Sequence, residues 1–251
     1  MTTNTQVIET ILSELKKSHP NAKYELDWDT PLQLLVATIL AAQCTDERVN
    51  KVTKTLFVKY ANAQAYAQAD ILELVLHNCG MIFECRDVPW NVSTRVLDLC
   101  KIIFIPNISN ALELEQNIKP TGFYRKKAET IQSVCQELVK RFGGEVPQTM
   151  AEMVTLPGVA RKTANVVLNT AFNLPTGIIV DVHVARVSQR MGLSKKKVPE
   201  KIEQDLMELV PQSEWTFFGP AMVLHGRYTC TAKNPNCSEC PFEDICEKNG
   251  I

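Results

Sequence analysis

Four cysteines, Cys230, Cys237, Cys240 and Cys246, stand at spacings x6, x2 and x5 near one end of the chain. Four thiolates this close in sequence can all reach one metal centre. Two centres suit them: a tetrahedral zinc, or a cubane iron–sulfur cluster that takes one cysteine per iron. Zinc sites more often pair two short Cys-x2-Cys hooks, and only one is present, so the spacing leans toward iron and sulfur while leaving zinc open.

A second group of residues suits nucleophilic chemistry. The run Leu156-Pro157-Gly158-Val159-Ala160-Arg161-Lys162-Thr163-Ala164 reads as a tight turn feeding a helix. Backbone N–H groups at such a helix start are free to hold an anion, and the helix dipole favours it. A DNA phosphate fits there without any sequence readout. Lys162 sits just inside that helix. An amine attacks carbon only as the free base. The helix start and Arg161 both disfavour the ammonium form, and partial burial in a pocket would add to them. Asp181 follows the apolar run Ile178-Ile179-Val180, where a carboxylate needs a partner or a task. Gln43, in Ala41-Ala42-Gln43-Cys44, is a long amide at a helix end. Each residue also has a plainer role: an exposed lysine, a helix-capping aspartate, a solvated helix terminus.

The elements that must position these residues are helices. Asp29-Thr30-Pro31 is a start signal, followed by Leu34, Leu35, Thr38 and Ile39 on one face. A helix after Thr45 places Val49, Val52 and Leu56 together. Ala128, Ile131, Cys135, Leu138 and Phe142 form a third stripe, stopped by Gly143-Gly144. Ile202, Leu206 and Leu209 form a fourth after Pro199. The expected class is all-α. One stretch departs from the pattern. Residues 75–114 hold three of the nine cysteines and the run Ile102-Ile103-Phe104-Ile105, bracketed by an echo, Leu72-Glu73-Leu74 and Leu112-Glu113-Leu114. Excising Val75 to Leu114 leaves a continuous helix leading into Pro120-Thr121-Gly122, so the stretch reads as an insertion.

A formal charge of −1 on 251 residues neither requires nor excludes a nucleic-acid partner. Local clusters such as Arg125-Lys126-Lys127, Lys140-Arg141, Arg161-Lys162 and Lys195-Lys196-Lys197 must supply any basic surface. No apolar run reaches the length of a membrane span, and the first residues lack the pattern of a secretion signal. An odd number of cysteines in a chain of this kind suits a reducing, intracellular setting, where metal binding outranks disulfides.

The cysteine spacing, the Leu156–Ala164 hairpin and Asp181 together resemble the endonuclease III family of DNA glycosylases over nearly all of the chain outside residues 75–114. The resemblance implies a two-lobed helix–hairpin–helix fold. Residues 24–174 would form a helical-barrel lobe with the insertion, and residues 1–23 with 175–251 a cluster lobe. It implies one [4Fe-4S] cluster on the four cysteines, of structural purpose. Lys162 would form a Schiff base with C1′ of the sugar, and Asp181 would stabilise the sugar cation and move protons. Gly158, Val159, Ala160 and Arg161 would hold DNA at the hairpin, Lys233 would do so from the cluster loop, and Gln43 would fill the gap left by an extruded nucleotide. Ala160 stands where the family commonly has a second glycine, and the cluster loop carries one cation where several are usual. His183 and Arg186 read as structural residues near the cluster. The implied substrate is double-stranded DNA with a damaged pyrimidine or an abasic site, met by a monomer. An adenine-specific relative shares the cysteine spacing, but its branch lacks the lysine and carries a further C-terminal domain. A non-catalytic DNA-binding or redox module would not need both Lys162 and Asp181.

Overall fold

The computed structural model describes residues 4–69 and 114–251. The proposed insertion, apart from Leu114, lies outside them. Among the described residues the chain is helical and contains no β-strand, as the periodicity predicts. The helices are α1 (Asn4–Ser18), α2 (Pro31–Leu40), α3 (Asp46–Lys59), α4 (Ala63–Ala67), α5 (Tyr124–Phe142), α6 (Met150–Met153), α7 (Arg161–Ala171), α8 (Val182–Arg190), α9 (Pro199–Leu209) and α10 (Trp215–Tyr228).

The local signals work as expected. Thr30 caps α2, its hydroxyl accepting from the Gln33 N–H at 3.3 Å, with Pro31 at the first helical position. The α5 helix stops because Gly143 and Gly144 adopt φ of 62° and 92°, and the Gly144 N–H reaches back to the Leu138 carbonyl at 2.9 Å.

The chain divides into two compact units. One comprises Leu26–Pro147 and Leu156–Gly158. Its core joins Leu34, Leu35 and Leu40 of α2, Leu56 of α3, and Ile131, Cys135 and Leu138 of α5. Leu114, at the start of a short helical stretch, is also fully buried. The other unit comprises Met1–Glu25, Gln148–Thr155 and Val159–Ile251. There Ile8, Ile11 and Leu15 of α1 pack into one cluster with Val184 and Val187 of α8, Ile202 and Leu206 of α9, and Phe218 and Met222 of α10.

This division differs from the expected lobes of 24–174 against the rest: residues 24–25, 148–155 and 159–174 go with the C-terminal unit. The reason lies in α7, whose buried polar side chains bond to segments that follow it.

Candidate active site

The turn before α7 depends on Gly158, whose φ of +70° suits glycine. A methyl there would also meet the Thr130 side chain at 2.6 Å. Val159 is buried, and Ala160 is the N-cap of α7 with φ −81° and ψ 165°, ordinary extended backbone. Alanine therefore replaces glycine at 160 without backbone strain. Ala160 offers no side-chain cap, so among the described residues the first N–H groups of α7 receive no capping bond from the N-cap side chain.

Lys162 is the second residue of α7 and is exposed, so the expected partial burial is not found. It lines a small cavity with Arg161, Asn165, Ile178, Val180 and Glu203. Arg161 does not project freely as a phosphate ligand. Its Nε and Nη2 donate to Glu203 Oε2 and Oε1 at 3.3 and 3.2 Å, so its charge is already matched and adds little repulsion toward a neighbouring ammonium.

Glu203 was not anticipated, and it organises a buried network. Its Oε1 also accepts from Asn165 Nδ2 at 2.9 Å. The Thr176 hydroxyl lies 2.9 Å from Asn165 Oδ1 and 3.2 Å from Asn169 Oδ1, and Asn169 Nδ2 donates to the Gly177 carbonyl at 2.7 Å. A Cβ at Gly177 would collide with Glu203 Oε1 and lie 2.9 Å from Asn165 Nδ2, so a side chain there would displace the carboxylate. The network ties the helix that carries Lys162 to the 176–180 run that leads into Asp181. The available signal was two asparagines four residues apart inside α7, a placement that costs helix propensity unless the amides have partners.

Asp181 is the N-cap of α8. Its Oδ1 accepts from the backbone N–H groups of His183 and Val184, both at 2.8 Å. Capping and chemistry thus need not exclude each other, since one oxygen is committed and the other carries no bond to the described residues. Arg186 acts as expected, donating to the carbonyls of Gly226 at 2.7 Å and Cys230 at 3.0 Å. It braces α8 against α10 and the cysteine loop.

In the other unit, Gln43 is exposed and has a left-handed φ of 53° in the turn after α2. The end of α2 is held by Lys127, which is buried rather than part of a solvated basic face. Its Nζ donates to the carbonyls of Leu40 and Thr121, each at 2.8 Å. A cation at the last carbonyls of α2 also complements the helix dipole. Burial lowers its pKa.

The four cysteines line one cavity together with His225, Asn236 and Phe242. Cys230 is buried, and the other three are partly buried. Burial raises the thiol pKa of Cys240, and the nearby Cys230, Cys246 and Cys237 add to the rise. Cationic metal at their centre would relieve that crowding of sulfur. Arg190 closes one side, its Nη1 3.3 Å from Cys230 Sγ and 2.7 Å from the Thr231 carbonyl. His225, another residue the sequence did not single out, is buried with Nε2 3.8 Å from Cys240 Sγ. Burial, with a smaller contribution from His19, lowers its pKa to about 4. Lys233 is exposed on the loop, where its carbonyl accepts from the Thr231 hydroxyl at 2.7 Å. The donor set therefore suits an iron–sulfur cluster.

Comparison with known proteins agrees with this reading. Residues 96–212 match the family model of HhH-GPD superfamily base excision DNA repair proteins. Residues 230–246 match the iron–sulfur binding domain of endonuclease III. The chain is 46% identical to an endonuclease III of Synechocystis sp. over 236 residues, 94% of this chain and 90% of the relative. It is 36% identical to the endonuclease III of Escherichia coli K12 over 237 residues, 94% of this chain and 93% of the relative. A solved structure of a trapped endonuclease III–DNA covalent intermediate superposes with a TM-score of 0.76 at 38% identity, covering 99% of this chain and 97% of that one. A thermostable thymine-DNA glycosylase, 19% identical with a TM-score of 0.72, shares the fold. With a cysteine loop, a hairpin and an identity this extensive, the chain belongs to the endonuclease III family of base excision DNA repair proteins.

Proposed function

We propose that this base excision repair DNA glycosylase and AP lyase removes oxidised pyrimidines through Lys162. The observation that carries the reading is the placement of Lys162 in the first turn of α7, lining a cavity with Val180, the residue before Asp181. The uncapped N–H groups of α7 and the Gly158 turn bind a DNA phosphate. The Nζ of Lys162, as free base, bonds to C1′ of the sugar while the C1′–N bond to the damaged base breaks. The carboxylate of Asp181 stabilises positive charge on the sugar and takes up the amine's proton. The departing base takes a proton from water, and a proton passed from Asp181 to O4′ lets the C1′–O4′ bond break, which converts the aminal into a Schiff base that acidifies the C2′ proton. Its loss breaks the C3′–O bond and cleaves the strand, and water then releases Lys162.

The cysteines fit a [4Fe-4S] cluster, with Cys230, Cys237, Cys240 and Cys246 each holding one iron. When bound, the cluster ties the loop that presents Lys233 to the end of α10. Gln43 fills the space of the extruded nucleotide. The protein acts as a monomer inside the cell.

The test is borohydride trapping on duplexes containing an oxidised pyrimidine, an abasic site or no lesion. A covalent adduct on the first two, and none on the third, is expected. Absence of any adduct would overturn the Schiff-base mechanism, and adducts on abasic DNA alone would overturn the pyrimidine assignment.

A further inference from the structure

The hydroxyl of Tyr24 is buried and has no hydrogen-bond partner. A buried hydroxyl left in this condition has given up its water for nothing, and such groups are uncommon enough to call for an explanation. The hydroxyl lies in a corner where α10 comes close to the run leading into α8. A Cβ placed on Gly219 of α10 would be 3.3 Å from the Tyr24 oxygen and 3.6 Å from the Ile179 nitrogen, two residues before Asp181. Gly219 thus leaves room for the hydroxyl, and a side chain there would press on it.

Asp181 supplies the matching acceptor. Its Oδ1 is taken by the N–H groups of His183 and Val184, and Oδ2 has no bond to the described residues. An unpartnered donor and an unpartnered acceptor therefore share one neighbourhood. We propose that Tyr24 is a positioning residue for Asp181, donating its hydroxyl proton through one water to the carboxylate oxygen that the helix cap leaves free. The proposal rests on the reading of Asp181 as a carboxylate that acts in base removal. Tyr24 itself stays protonated: burial, and then the negative charge of Asp181, raise its pKa well above the usual tyrosine value, while Arg227 opposes them.

Other charged groups surround this corner. Arg227 on α10 pairs with Glu25, which also accepts from the Tyr228 hydroxyl at 3.1 Å. On α8, His183 Nδ1 lies 3.3 Å from Arg186 Nη2. Replacing Tyr24 by phenylalanine changes none of these charges. It removes one donor and keeps the ring.

The experiment compares wild type, Tyr24→Phe, Asp181→Asn and the double variant, measuring single-turnover base removal across pH with thermal melting alongside. A donor to a carboxylate favours its ionised form. The acidic limb of the Tyr24→Phe profile should therefore move about one pH unit higher, which is a loss of about ten-fold on that limb. The plateau should stay within a few-fold. In the Asp181→Asn background, Tyr24→Phe should have no further effect, because the two residues act through one group. Coincident wild-type and Tyr24→Phe profiles, with Asp181→Asn strongly impaired, would overturn the role of Tyr24 alone. A higher melting temperature with coincident profiles would show the same, marking the hydroxyl as a buried defect. Unimpaired Asp181→Asn would overturn the role of Asp181, and that of Tyr24 with it.

Discussion

Asn165 Nδ2 lies 2.9 Å from Glu203 Oε1, and this bond joins the helix that bears Lys162 to the helix at Pro199–Leu209. Glu203 is buried, and it serves Asn165 and Arg161 at once. Glu203→Ala should therefore cost about 2 kcal/mol, since it strands a buried amide while water can still solvate the half-exposed guanidinium. Glu203→Gln should cost less, because its carbonyl still accepts from Asn165. Urea denaturation reports both, and an unchanged midpoint in the alanine variant would remove the network from the account of how α7 is held.

Lys162→Ala should abolish borohydride trapping and strand cleavage. Lys162 is exposed and makes no side-chain bond to the described residues, so the melting temperature should barely change, and the backbone N–H groups of the first turn remain to hold phosphate. Gel-shift and trapping measurements on the same preparation separate the two effects. Trapping at the wild-type level would move the nucleophile elsewhere.

Two variants at Asp181 separate its roles. Asn at 181 keeps an oxygen for the His183 and Val184 N–H groups, so stability should hold while base removal falls by orders of magnitude. Ala at 181 should lose the same activity and about 1 kcal/mol besides, the usual worth of an N-cap. Equal rates for wild type and the Asn variant would leave Asp181 as a cap only.

The purified protein should be yellow-brown, with a broad absorbance near about 400 nm from sulfur-to-iron charge transfer. Cys237→Ser should bleach part of that band and lower stability before it affects chemistry, because the cysteine loop packs through Phe242 and Cys230 against the C-terminal unit's core. A colourless protein with one zinc per chain would falsify the cluster.

Deleting Val75 to Leu114 should leave the cluster spectrum unchanged and glycosylase activity within a few-fold. Leu114 is fully buried, which at first counts against removing it. The echo answers this, since the join puts Leu74 directly before Glu115, with a leucine again where Leu114 stood. Loop closure also penalises long insertions only slowly. Failure of the shortened chain to fold would show the segment to be part of the helical core.

The sequence by itself determined what depends on near neighbours. Helix stripes, the Thr30 and Asp181 caps and the Gly143-Gly144 stop are set by residues a few positions apart, and the same is true of the cysteine loop's ability to reach one centre. It also carried the family, because that likeness lies in short motifs. Tertiary structure alone decided which distant groups meet. Arg161 looked like a free cation until Glu203, forty-two residues on, was found against it. Lys127 looked like part of a basic face until its amine was found on the carbonyl of Leu40, eighty-seven residues away. The same holds for the pairing of Tyr24 with the corner at Gly219, and for the placement of α7 with the C-terminal unit. The physical reason is that periodicity states which face of an element is apolar, whereas the partner of a polar group is fixed by how whole elements pack. A buried charge shows its purpose only when the atom opposite it is known.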